Sequence, residues 1–151
     1  MFGKIVVGTD GSVPARRALD TAAELAVRFG SSEIHVVTGY RPVSDVEIRR
    51  LTHEVPEEFR DLITGDGPGV RIVDAGVSAL RDSAAKVVGH PLPESGAEAI
   101  LDVAEQVGAD LIVVGCRGEG VGKRLLHGSV STKVAHHSPC DVLIVHEHDE
   151  G

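Results

Sequence analysis

Short apolar runs rich in β-branched residues alternate along this chain with longer stretches in which apolar residues recur every three or four positions. Ile5-Val6-Val7, Ile34 to Val37, Leu111 to Val114 and Val142 to Val145 each read as a strand, and Lys86 to Leu92 is a fifth, less regular run. Unbroken runs without polar alternation suit strands covered on both faces. Between the first two runs, Ala15, Leu19, Ala22, Ala26 and Phe29 share a helical face. Ser12 can cap that helix, Pro14 fits its first turn and Gly30 can stop it. Ala97, Ile100, Leu101, Ala104 and Val107 repeat the pattern, with Gly108 as the stop. Val70, Val73, Val77, Leu80 and Ala84 predict another helix, which Gly76 weakens. Helices alternating with buried strands predict βαβ units, and hence an α/β protein with a five-stranded parallel sheet between two helical layers.

One stretch departs from the pattern. Arg41 to Gly69 holds Pro42, Pro56, Pro68 and many charges, and is expected to form an irregular or partly helical surface excursion. Neither a repeat nor a linker divides the chain, so residues 1–151 read as one domain with an acidic tail at 147–151. At 151 residues and 42% hydrophobic content, one domain can bury a real core.

A formal net charge of -8 argues against non-specific binding to nucleic acid or an anionic membrane. With 3% aromatic residues and no Trp, base stacking on aromatic side chains is not the expected binding mode. Cys116 and Cys140 form neither a CxxC nor a dense framework, which points to a reducing, cytoplasmic compartment. Met1 to Lys4 leads into an apolar run ending at Gly8, too short for the apolar region of a secretion signal.

The candidate chemistry lies after the fourth run, in Val114-Gly115-Cys116-Arg117-Gly118-Glu119-Gly120-Val121-Gly122-Lys123-Arg124-Leu125-Leu126-His127-Gly128-Ser129-Val130-Ser131. Gly115, Gly118, Gly120 and Gly122 would let the backbone turn with positive φ and come close to a ligand. Ser129 and Ser131 open a helix whose apolar face includes Val130 and Val134, and a helix N-terminus favours phosphate. Arg117, Lys123 and Arg124 outnumber Glu119, so the segment is basic within an acidic protein. An anion belongs here. It is not a Walker A loop, because Arg117 and Arg124 occupy the required Gly and Ser/Thr positions. A dinucleotide GxGxxG should follow the first strand, where Gly8-Thr9-Asp10-Gly11-Ser12 stands instead.

Gly115, two residues, Gly118, nine residues, then Gly128-Ser129 resembles the nucleotide signature of the universal stress protein family. Lys4 to Ser12 is similar to that family's first strand and acidic turn, Ala109 to Gly115 to its fourth strand, and Ser138 to Val145 to its last. The resemblance implies a Rossmann-like sheet ordered 3-2-1-4-5, akin to adenine nucleotide α-hydrolases. It also implies an ATP site over the ends of strands 1 and 4. Ligands of open α/β sheets sit at such a switch point. Carried over, Thr9 and Asp10 would contact the nucleoside, and Asp10 could reach the ribose or a metal-linked phosphate. Gly39, where relatives often carry a larger apolar residue, would sit by the adenine, and Val114 and Gly115 would flank base and ribose. Gly118, Gly128, Ser129, Val130 and Ser131 would hold the phosphates, with Arg117 beside them. The ligand would be ATP, with or without Mg²⁺. Cyclic AMP is the alternative, and a ligand-free interaction module a third reading. The loop after strand 1 lacks the Ser-Gly-Gly-x-Asp-Ser type expected of the hydrolases.

Each singled-out residue also has a plainer reading. Asp10 can be a helix-entry turn residue, Arg117 and Lys123 solvated charges, and Cys116 a small loop residue instead of a redox handle. His136-His137 and His146-Glu147-His148 supply no third metal ligand, and adjacent helical residues point to different faces. Nothing nominates a general base, so the expectation is binding and switching, with slow hydrolysis at most. Val142 to Val145 is an apolar edge strand without Pro or Lys, expected to pair antiparallel with its copy in a homodimer.

Overall fold

The computed structural model describes residues 2–42, 44–59, 67–116 and 129–147. Their order is β1 (Lys4–Gly8), α1 (Val13–Phe29), β2 (Glu33–Gly39), α2 (Asp45–Glu54), α3 (Gly67–Ala79), β3 (Lys86–Leu92), α4 (Gly96–Val107), β4 (Leu111–Cys116), α5 (Ser129–His137) and β5 (Asp141–His146). All neighbouring strands are parallel, in the order β3-β2-β1-β4-β5. Val7, at the centre, stands between Val36 of β2 and Val113 of β4.

The apolar runs divide residue by residue between two cores, because successive strand side chains point to opposite faces. Ile5, Val7, Ile34, Val36, Leu111 and Val113 pack with Ala18, Leu19, Ala22 and Ala26 of α1 and with Leu80. Val6, Val37, Ile112 and Val114 pack with Ala97, Ile100, Val103 and Ala104 of α4 and with Val134 of α5.

Local chemistry sets the helix ends. The Ser12 hydroxyl accepts from the Ala15 N–H at 3.4 Å, and Gly30 stops α1 at φ 64°. Ser95 caps α4 by accepting from the Glu98 N–H at 3.3 Å, and Gly108 ends it at φ 65°. Within the stretch 41–69, Ser44 caps α2, none of whose residues is buried.

Two helical details differ from the expected pattern. Phe29 is 44% exposed and meets Phe2 edge-on, ring centroids 5.1 Å apart, instead of entering the core. The third helix ends at Ala79, so Leu80 and Ala84 lie beyond it, and Val70 is exposed. Its buried face is Gly69, Val73 and Gly76. Gly76 therefore has a packing reason: a Cβ there would lie 2.9 Å from Val36 Cγ1. The helix gives up propensity so that it can approach the sheet.

Candidate functional site

The chain winds outward from β1 through β2 to β3, and from β4 to β5 on the other side, so β1 and β4 mark the switch point. A cleft opens at the ends of these two strands. Val37, Ile100 and Val114 form its apolar wall, Thr9, Asp10 and Ser12 its polar rim, and Gly39, Gly96, Gly115 and Val130 close around it. The described residues enclose about 110 Å³. Small-molecule pockets begin at roughly 300 Å³, and residues 117–128 follow directly from β4 outside the described set.

The turn after β1 is built by its own side chains. The Thr9 N–H donates to the Val37 carbonyl at 2.9 Å and carries the β1–β2 ladder one residue further. The Thr9 hydroxyl accepts from the Gly11 N–H at 3.2 Å, and Gly11 adopts φ 80°, where a Cβ is disfavoured. One Asp10 carboxylate oxygen accepts from the Ser12 N–H at 2.9 Å. Asp10 is thus a turn residue, and it is also exposed on the rim of the cleft.

The two site glycines within the described residues act through packing. Gly115 lies inside β4 and has no positive φ, contrary to the expectation of a left-handed turn. A Cβ on it would collide with the Pro14 carbonyl, so its bareness lets the first turn of α1 rest against β4. A Cβ on Gly39 would meet the Glu94 carbonyl oxygen at 2.5 Å and the Gly96 nitrogen at 2.6 Å. That close approach brings the β3–α4 turn over the end of β2. A Cβ on Gly96 would in turn lie 3.6 Å from Val130, which joins the starts of α4 and α5. The first turns of α1, α4 and α5 all border the cleft, and each contributes the positive end of a helix dipole.

Thr9, Asp10, Gly39, Val114, Gly115 and Val130 therefore share one cleft. Ser129 begins α5, and Ser131, in the same first turn, is 3% exposed. Arg117, Gly118 and Gly128 lie outside the described residues. Cys116 is the last residue of β4 and 6% exposed, a strand residue where a loop position was expected. Sequence reasoning missed Gly8, Ser12, Ala15, Val37, Thr38, Gly96 and Ile100 as cleft residues. Ser12 was readable as the cap of α1, and Gly96 had a signal in following Ser95, which stands three residues before Glu98 in a helix-start pattern. Among the described residues no helix is long and apolar enough to cross a membrane.

The fold has counterparts among solved structures. A universal stress protein solved in complex with cAMP matches with a TM-score of 0.69 and 28% identity, covering 97% of this chain and 98% of that one. The universal stress protein from Archaeoglobus fulgidus in complex with dAMP matches at 0.63 and 26% identity, covering 95% of this chain and 98% of that one. By sequence, universal stress protein YxiE of Bacillus subtilis is 36% identical over 151 residues, with 96% of this chain and 99% of that protein covered. The model of the universal stress protein family matches residues 1–146, which places the chain in the universal stress protein family.

Proposed function

We propose that the cleft between β1 and β4 binds an adenine nucleotide, with ATP as the ligand, and that binding switches the protein instead of feeding rapid turnover. The carrying observation is the cleft itself: an apolar wall, a small polar rim and three helix starts at the switch point. Two similar family members were solved with adenine nucleotides. Val37, Ile100 and Val114 suit a base, and Thr9 and Asp10, on the polar rim, would contact the ribose. Gly118, Gly128, Ser129, Val130 and Ser131 would cradle the phosphates, with Arg117 and, when present, Mg²⁺ offsetting their charge. No general base is assigned, so hydrolysis is slow or absent. Cyclic AMP is the second reading, favoured by the relative solved with it.

Calorimetric titration with ATP, with and without Mg²⁺, and with cyclic AMP decides between the ligands. Gly118→Val is expected to weaken ATP binding at least about a hundredfold, roughly 2.7 kcal/mol, while the far-UV spectrum stays unchanged. Unaltered affinity in that variant would remove the loop from the site.

The same proposal includes a homodimer through β5, in a cytoplasmic protein. The two edge strands differ in a way that supports this choice. In β3, Lys86 donates its N–H to Ser32 and Leu92 accepts from Tyr40, so 86, 88, 90 and 92 face β2. Pro91 therefore turns its missing N–H to the open edge, and Lys86, at the other end of the strand, is exposed. The other edge, β5, carries neither device.

A further inference from the structure

Position 35 breaks the pattern that builds the core. Alternation along β2 puts Glu33 and His35 on the same face as Val37, the layer under α4, where an apolar residue belongs. His35 is 5% exposed. Its Nε2 lies 2.9 Å from Glu33 Oε2, and its Nδ1 lies 2.8 Å from Nε2 of His90 on β3. In the register His35 opposes Val88 and His90 opposes Val37, so the imidazoles meet diagonally across the two strands.

Proton counting constrains this chain. An ionised Glu33 only accepts, so His35 donates from Nε2. A neutral His35 then offers a lone pair at Nδ1, and His90 must donate from Nε2. One added proton is accommodated: it binds His90 Nδ1 while the Nε2 proton of His90 passes to His35 Nδ1. The imidazolium then sits on His35 beside the carboxylate, and both hydrogen bonds survive. A second proton puts N–H against N–H between two cations 2.8 Å apart, and attraction becomes repulsion.

We propose that Glu33, His35 and His90 form a proton-operated clasp between β2 and β3 that regulates ligand binding in the cleft at the ends of those strands. The link to the cleft is covalent and short. Leu92 of β3 accepts from the Tyr40 N–H at 2.9 Å, and the Glu94–Gly96 turn that follows rests on Gly39. Parting β3 from β2 withdraws that wall. The regulatory half of the proposal rests on the nucleotide reading of the cleft.

Lys4 of β1 and Lys86 of β3 act on Glu33, whose bond to His35 holds its carboxyl below the usual range. From α4, Asp102 and Glu98 act on Glu94, and Glu105 is that helix's remaining carboxylate in its last turns. On the opposite face a Cβ on Gly89 would meet Val73 of α3. Burial, then the charge of His35, holds His90 below the ordinary imidazole value of 6.5. The unfolded chain therefore takes up that proton first, so this stabilisation is present above pH 6.5 and is lost as pH falls below it. The lowered Glu33 has the same sign, its contribution fading as pH falls below 4.5.

Imidazole ¹⁵N–¹H spectra of the full chain between about pH 8 and about pH 5 test the clasp without any ligand. The two rings are expected to bind one proton together and a second only at lower pH. The Val88 and His90 amides, which face β2, should lose exchange protection with the second proton. Over the same range ATP affinity should fall about tenfold or more, and in His90→Gln, whose amide donates to His35 without titrating, it should stay flat. Rings that titrate independently near the ordinary value overturn the clasp, and so does a His90→Gln variant that keeps the full pH dependence. Absence of ATP binding at about pH 8 instead overturns the nucleotide reading and the regulatory half with it, and the spectra and exchange then judge the clasp alone.

Discussion

One methyl group added at Gly39 would have nowhere to go. Its neighbours are backbone atoms, the Glu94 carbonyl and the Gly96 nitrogen, which cannot rotate aside as a side chain could. Gly39→Ala is expected to cost about 1–3 kcal/mol and to weaken nucleotide binding, because the displaced turn walls the cleft. Urea unfolding and a nucleotide titration on the same variant measure both. Full stability with lost binding would place the constraint in the ligand and not in the fold. Gly115 follows the same logic against Pro14. Both glycines were legible in the sequence as members of a site, but the reason for them was not. Pro14 stands about a hundred residues from Gly115 in the chain, and a spacing pattern does not report which backbone arrives at a bare Cα. The Thr9–Ser12 turn was legible because its hydrogen bonds span only two or three residues.

Among the elements, α1 is set by signals at its own ends. Ser12, Pro14 and Gly30 mark its limits in the sequence, and the structure uses each of them. Ser12→Ala removes the acceptor for the Ala15 N–H and should cost about 1 kcal/mol, a fall of roughly 2–4 °C in midpoint, read by calorimetry. Since Ser12 also borders the cleft, nucleotide affinity should fall in the same variant. The third helix was less legible for a physical reason. Its buried face pairs two glycines with Val73, so apolar periodicity pointed to Val70, which is exposed. Closeness to the sheet decided that face, and hydrophobicity alone does not measure closeness. For β3 the strand itself was legible, but the His35–His90 bond required knowing that β3 pairs with β2 in this register.

For the whole molecule the open question of assembly sits on β5. Glu147 donates its N–H to the Cys116 carbonyl, so in β5 the N–H groups of 142, 144 and 146 point away from β4. Leu143, Ile144 and Val145 also line an open groove with Arg17, Asp20, Thr21 and Glu24 of α1. Ile144→Pro deletes one outward N–H while leaving the bonds to β4 in place. The parent chain is expected to have twice the chain mass in solution at micromolar concentration, and the variant the mass of one folded chain. A parent of single mass, or a variant of double mass, counts against pairing through this edge. By itself the sequence determined the alternation of buried strands and amphipathic helices, the helix stops at Gly30 and Gly108, and the family. Each of these is written in residues close together or in a fixed spacing. Only the tertiary structure decided what closes the cleft, why Gly39 and Gly115 must be bare, and that a carboxylate and two histidines meet across β2 and β3. Those contacts join residues far apart in the chain, and they exist only once the sheet has brought strand ends and helix starts together.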